Sequence, residues 1–125
     1  MVTSKSMDTN YLTKLTNGAA ELFADTAEGS ELLHPPEFIE TALAACMNIT
    51  ARMVLDRMKL AYDGVEVKVA LERPSRDETV VRYQIDIEGD IAQSVKEQII
   101  EKVYNCPVRR ILSSNIRIEK ADKED

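Results

Sequence analysis

Cys46 and Cys106 are the only two thiols in this 125-residue chain. A thiolate attacks oxygen and sulfur centres, and two thiols brought together can cycle between dithiol and disulfide. Their settings differ. Cys46 lies in the run Thr41–Ala51, T-A-L-A-A-C-M-N-I-T-A, which has no charged side chain. From position alone it reads first as a small core hydrophobe. Cys106 stands before Pro107, with Arg109 and Arg110 close behind. A helix start and nearby cations both lower a thiol pKa, so Cys106 is expected to gain thiolate character, with a structural helix-terminus role as the alternative. Sixty residues separate the two thiols, and spacing alone does not say whether they meet. A metal set would have to draw on His34, Cys46, Cys106 and Glu37. That spacing matches no closed zinc motif, so no metal and no cofactor are expected. The sequence carries no glycine-rich phosphate loop.

The element that must position Cys46 is a long helix from Pro35 to about Leu60. Pro at a first helical position loses only an N–H that would be unpaired anyway, and Glu37 complements the macrodipole in the first turn. Charges return at Arg52, Asp56, Arg57 and Lys59, and Asp63-Gly64 is expected to stop the helix. A helix apolar nearly all round is buried on most sides. At 1.5 Å per residue it would be ~37 Å long, against a radius of gyration of ~14 Å for a compact chain of this size. A second subunit is therefore expected to cover part of it.

The other elements follow from periodicity. Met1–Met7 reads as a frayed end. Tyr11–Thr16 and Glu21–Asp25 flank Asn17-Gly18, a strong hairpin signal, giving an N-terminal hairpin over residues 9–26. Val65, Val67, Val69 and Leu71 alternate on one strand, and Val81, Tyr83, Ile85 and Ile87 on the next, with a turn at Arg73–Asp77. Ile91, Val95, Ile99 and Val103 recur at helical spacing and predict a helix from about Ala92 to Asn105. Cys106-Pro107 ends it, and Val108–Leu112 forms one more helical turn. Asn115–Glu119 reads as a last short strand, and Ala121–Asp125 as a charged tail. The order β-β-α-β-β-α-β gives an α+β class: one domain over residues 1–125, with its core in 35–119.

A net charge of −6 disfavours nucleic acid and anionic membranes as partners. No run of 18 apolar residues and no basic-then-apolar leader is seen, which argues against a membrane span or signal peptide. Two cysteines without a leader fit a reducing cytoplasm.

The stretch Pro36-Glu37-Phe-Ile-Glu-Thr-Ala-Leu-Ala-Ala-Cys46 resembles the P-x-E-L-x-x-A-A-L-A-x-C signature of the OsmC/Ohr family, the osmotically inducible and organic hydroperoxide resistance proteins. The resemblance continues through Asp63-Gly64-Val65-Glu66-Val67 and Glu88-Gly89-Asp90. It ends in Cys106-Pro107-Val108-Arg109-Arg110-Ile111-Leu112, similar to the family's C-P-V-x-x-x-L. It implies an OsmC-like fold with a long buried central helix and an intertwined homodimer. It also implies a thiol-dependent peroxidase for organic hydroperoxides in oxidative-stress defence. Cys46 would then be the peroxidatic thiol and Cys106 the resolving thiol, with a disulfide reopened by a dithiol reductant. Glu37 matches the family carboxylate that positions an arginine. Here Met1–Pro36 contains no arginine, only Lys5 and Lys14, so that cation would come from elsewhere: Arg109, Arg110, or Lys14 of a second copy. Glu37 and Cys46 are nine residues apart, and this spacing looks more like the uncharacterised OsmC-like branch of the family. The alternative function is a non-catalytic dimer that binds a small apolar ligand beside the central helices.

Overall fold

The computed structural model describes residues 1–122. The chain runs through strands β1 (Thr3–Ser6), β2 (Thr13–Thr16) and β3 (Glu21–Ala24), helix α1 (Pro35–Arg57), strands β4 (Gly64–Ser75) and β5 (Glu78–Glu88), and helices α2 (Gln93–Val103) and α3 (Pro107–Leu112). It divides into two compact units. One holds Met1–Ala42 with Val69–Arg82, and the other Leu43–Lys68 with Tyr83 onward.

The first unit contains the antiparallel sheet β1-β2-β3. Its β2–β3 connection is a short loop. There Asn17 Oδ1 accepts the N–H groups of Ala19 and Ala20, Thr16 Oγ1 accepts that of Gly18, and Gly18 takes a φ of 100°. The N-terminal residues are not frayed. Thr3–Ser6 pair with Thr13–Thr16 in register Thr3↔Thr16, because β2 offers an open edge whose N–H and C=O groups need partners.

The start of α1 is a reciprocal cap. The Glu37 N–H donates to the His34 carbonyl at 2.9 Å, and the Glu37 Oε1 accepts the His34 N–H at 2.9 Å. The Glu37 carboxylate supplies the half of a capping box that returns to the N-cap N–H, while the Glu37 N–H is met by the His34 backbone carbonyl in place of an N-cap side chain. Glu40 ties the same helical turn to β4, its Oε2 accepting the Leu71 N–H at 2.9 Å.

The second unit contains the core. Leu43, Met47, Ala51 and Leu55 are buried at four-residue spacing along α1, together with Ile87 of β5, Ile99 and Val103 of α2, and Cys106. Spacing of four keeps side chains on one helical face. Asn48 anchors α1 to β4, donating from Nδ2 to the Val65 carbonyl at 2.9 Å. α1 stops earlier than expected. The Leu60 N–H reaches the Leu55 carbonyl and the Lys59 N–H that of Asp56, while Lys59 takes a φ of 57°. These are the bonds of a Schellman motif, closed here by a lysine where glycine is usual.

Two expectations need correction. β4 runs to Ser75, through the expected turn, which tightens onto Arg76-Asp77. Asn115–Glu119 forms no strand: its backbone pairs with no other strand of the chain, and Ile118 is 95% exposed. Within one chain α1 is buried along a single stripe only. Ile39, Ile49 and Met53 on its other faces stay exposed, because one chain supplies packing for one side. By length and apolar composition α1 would also suffice to cross a bilayer. That test does not separate a span from the core helix of a folded domain, and the Leu43–Leu55 stripe belongs to such a core. Of the charged tail, residues 123–125 lie outside the described residues. The α+β class stands, with an additional first strand and no last one.

Candidate active site

The second unit brings Cys46 and Cys106 together. Both are free thiols, and Cys46 lies close enough to Cys106 to act on its ionisation. Burial is the reverse of the simplest expectation. Cys46, in mid-helix, is half-buried, whereas Cys106 is 1% exposed. Cys46 lies beside the stripe Leu43–Met47–Ala51–Leu55 and not within it.

Cys106 occupies the N-cap position of α3, with extended backbone (φ −63°, ψ 152°) and Pro107 as the first helical residue. Pro cannot continue the preceding helix but suits the start of the next. The Cys106 carbonyl accepts the Arg110 N–H at 3.1 Å, and its own N–H returns to Val103 at 3.0 Å. Burial pushes the Cys106 thiol above its ordinary pKa. The backbone N–H groups of Arg109 and Val108 favour the thiolate, while the adjacent Cys46 disfavours it, and the net shift is upward. The expectation of a more acidic Cys106 is therefore corrected: desolvation outweighs two amide donors.

The nearby cations do not serve the sulfur. The Arg109 guanidinium donates to the Tyr104 carbonyl (2.8 Å), to Asn105 Oδ1 (2.9 Å) and, more weakly, to Ser113 Oγ (3.5 Å). It also lies 4.2 Å from the centre of the Tyr104 ring. Arg110 is exposed. Lys14 pairs with Glu21 on its own hairpin at 3.7 Å. Glu37 sits at the start of α1 with Oε1 committed to the His34 N–H. Among the described residues, no three His, Cys, Asp or Glu side chains gather as a metal site. The Arg109–Tyr104 contact was missed from sequence. Its one available signal was an arginine three residues after a Cys-Pro break, with an aromatic two residues before the cysteine.

A groove of about 490 Å³ lies elsewhere in this unit, lined by Glu66, Lys68, Tyr83, Gln84, Ile85, Asp86 and Ile100. Its lining includes neither thiol.

The second unit thus carries two free thiols, one on a long helix and one at a Cys-Pro corner, in an α+β frame. The family model for OsmC-like protein matches residues 28–120, and the chain belongs to that family. Its fold is similar to that of an OsmC-like protein from Mycoplasma pneumoniae, with a TM-score of 0.77 at 16% identity over 90% of this chain and 85% of that one. It is also similar to the organic hydroperoxide resistance protein OsmC from Legionella pneumophila (TM-score 0.65, 20% identity, 92% and 90% covered). A third similar structure is the organic hydroperoxide resistance protein OhrB of Bacillus subtilis (TM-score 0.67, 15% identity, 92% and 90% covered). No curated protein matches by sequence.

Proposed function

We propose that this protein is a thiol-dependent peroxidase for organic hydroperoxides, working in oxidative-stress defence in the cytoplasm. The observation that carries the reading is the meeting of the two thiols, one reachable and one sealed. A peroxidatic thiol must meet a substrate from solution, and half-buried Cys46 can. A resolving thiol needs only to meet its partner, and buried Cys106 does.

In the first step the Cys46 thiolate attacks the outer peroxide oxygen. The O–O bond breaks, the alcohol leaves with a proton, and the sulfur becomes a sulfenic acid. In the second, Cys106 attacks that sulfur, expels water and closes a Cys46–Cys106 disulfide. A dithiol reductant then reopens it, becoming a disulfide itself. Glu37 is a positioning residue in this scheme. With Oε1 taken by the His34 N–H, an arginine would bind it through Oε2.

The working form is a homodimer. Support comes from the uncovered apolar side chains of α1 and from the unpaired Asn115–Glu119 segment with its exposed Ile116 and Ile118. Exposed apolar patches of this kind mark association surfaces.

The test is peptide mass mapping of reduced protein after brief treatment with a slight excess of an organic hydroperoxide. A rapid Cys46–Cys106 disulfide is expected in the wild type. Cys46→Ser should form none and consume no peroxide, while Cys106→Ser should stop at the sulfenate. Two intact thiols in treated wild type would sink the proposal and favour the ligand-binding dimer. An apolar ligand would then need a site other than the 490 Å³ groove, whose lining includes Glu66, Lys68 and Asp86.

A further inference from the structure

α3 has six residues, too few to hold together on propensity alone. Something else must fix the corner that carries Cys106. The Arg109 side chain reaches back across it. Its Nε–H donates to the carbonyl of Tyr104 and its Nη2 to the side chain of Asn105, the two residues just before the cysteine. The same guanidinium stacks on the Tyr104 ring at 4.2 Å, and that ring meets Tyr83 of β5 with centroids 6.2 Å apart. The backbone N–H of Arg109 also favours the Cys106 thiolate. Tyr83, Tyr104 and Arg109 thus form a ladder that fastens the corner to β5.

We propose that Arg109 is the positioning residue for the resolving thiol, holding the Cys106 sulfur against Cys46 so that the disulfide closes without local unfolding. The proposal rests on the two-thiol reading above. Disulfide geometry is narrow, with Cβ atoms about 3.5–4.5 Å apart. Holding two reacting groups in place is worth orders of magnitude in effective concentration, and a misplacement of about 1 Å can lose a hundredfold. Arginine suits the task because its planar fork bonds two acceptors while its face stacks on an aromatic ring.

The test is the thiol–disulfide equilibrium of the folded protein in dithiothreitol buffers. In it, protein dithiol and oxidised dithiothreitol exchange for protein disulfide and reduced dithiothreitol, with the ratio read by mass spectrometry. Arg109→Ala should lower the equilibrium constant for disulfide formation about tenfold, equivalent to about 30 mV. Arg109→Lys, which keeps the charge and loses the fork, should fall between. Asn105→Ala, an exposed site that removes one acceptor, should shift the same way by less. It carries the test if the alanine variant at 109 does not fold. Equal constants for the wild type and these variants overturn the proposal, as does a wild-type pair that forms no disulfide at all. Hydroperoxide consumption is measured separately. A wild type that ignores hydroperoxide but shows the Arg109 shift would overturn the peroxidase reading and leave this one standing.

Discussion

The burial of Cys106 makes a kinetic prediction that can be worked through. In the proposed cycle, resolution requires the Cys106 thiolate, because the thiol form is a poor nucleophile. An ordinary cysteine, with a pKa of about 8.5, is roughly 3% thiolate at pH 7. Cys106 lies below that fraction, since burial raises its pKa and the Arg109 and Val108 N–H groups recover only part of the cost. Between pH 7.0 and 9.5 an ordinary thiol would gain about 30-fold in thiolate and then level off. A thiol with a raised pKa keeps climbing tenfold per pH unit, towards a ceiling near 300-fold over the same range. The assay pre-forms the Cys46 sulfenate with substoichiometric hydroperoxide, jumps the pH, and quenches with an alkylating reagent at intervals to count disulfide. The first-order rate should still be climbing close to tenfold per pH unit around pH 9. A gain of only about 30-fold from pH 7, levelling off by about pH 9.5, would refute the claim that desolvation governs this thiol. The same shift bears on stability. The group's folded pKa is raised, so its stabilisation is full below the unfolded value near 8.5 and is lost as pH rises through the folded value.

Three further outcomes are expected. Lys59→Gly should stabilise the fold by about 1 kcal/mol in urea unfolding, because a non-glycine residue at a φ of 57° carries a left-handed penalty; an unchanged or lowered midpoint would count against the strain. Gly89→Ala should cost roughly 1–3 kcal/mol, since Gly89 has a φ of 150° and an added Cβ would lie 3.1 Å from the Tyr62 backbone; thermal melts that match wild type would refute this. A bulky maleimide at neutral pH should label Cys46 well ahead of Cys106, given half-burial against 1% exposure; equal labelling of the native protein would contradict that difference.

The sequence made some of this legible for identifiable reasons. The charge-free run around Cys46, the Pro35-Pro36-Glu37 start and the four-residue recurrence from Ile91 to Val103 each have one physical solution, and α1 and α2 form close to the expected bounds. What was hidden depends on long-range context. Thr3–Ser6 carry no strand pattern, and they pair because β2 presents an edge. Asn115–Glu119 alternate as a strand should, yet alternation cannot supply a neighbour within the chain. At the site, Arg109 and Arg110 read as charges beside a thiol. Only the fold reveals that Arg109 spends its donors on Tyr104 and Asn105, and that desolvation sets the Cys106 ionisation.

The tyrosine ladder has an optical consequence. The chain has four tyrosines and no tryptophan, so its near-ultraviolet dichroism is dominated by phenol rings in fixed asymmetric surroundings. Tyr83 and Tyr104, clasped together and capped by a guanidinium, are two of the four. Tyr104 sits two residues from Cys106, so any movement of that corner would be written directly into the tyrosine spectrum. The protein carries its own chromophore for the state of its second thiol, with no label attached.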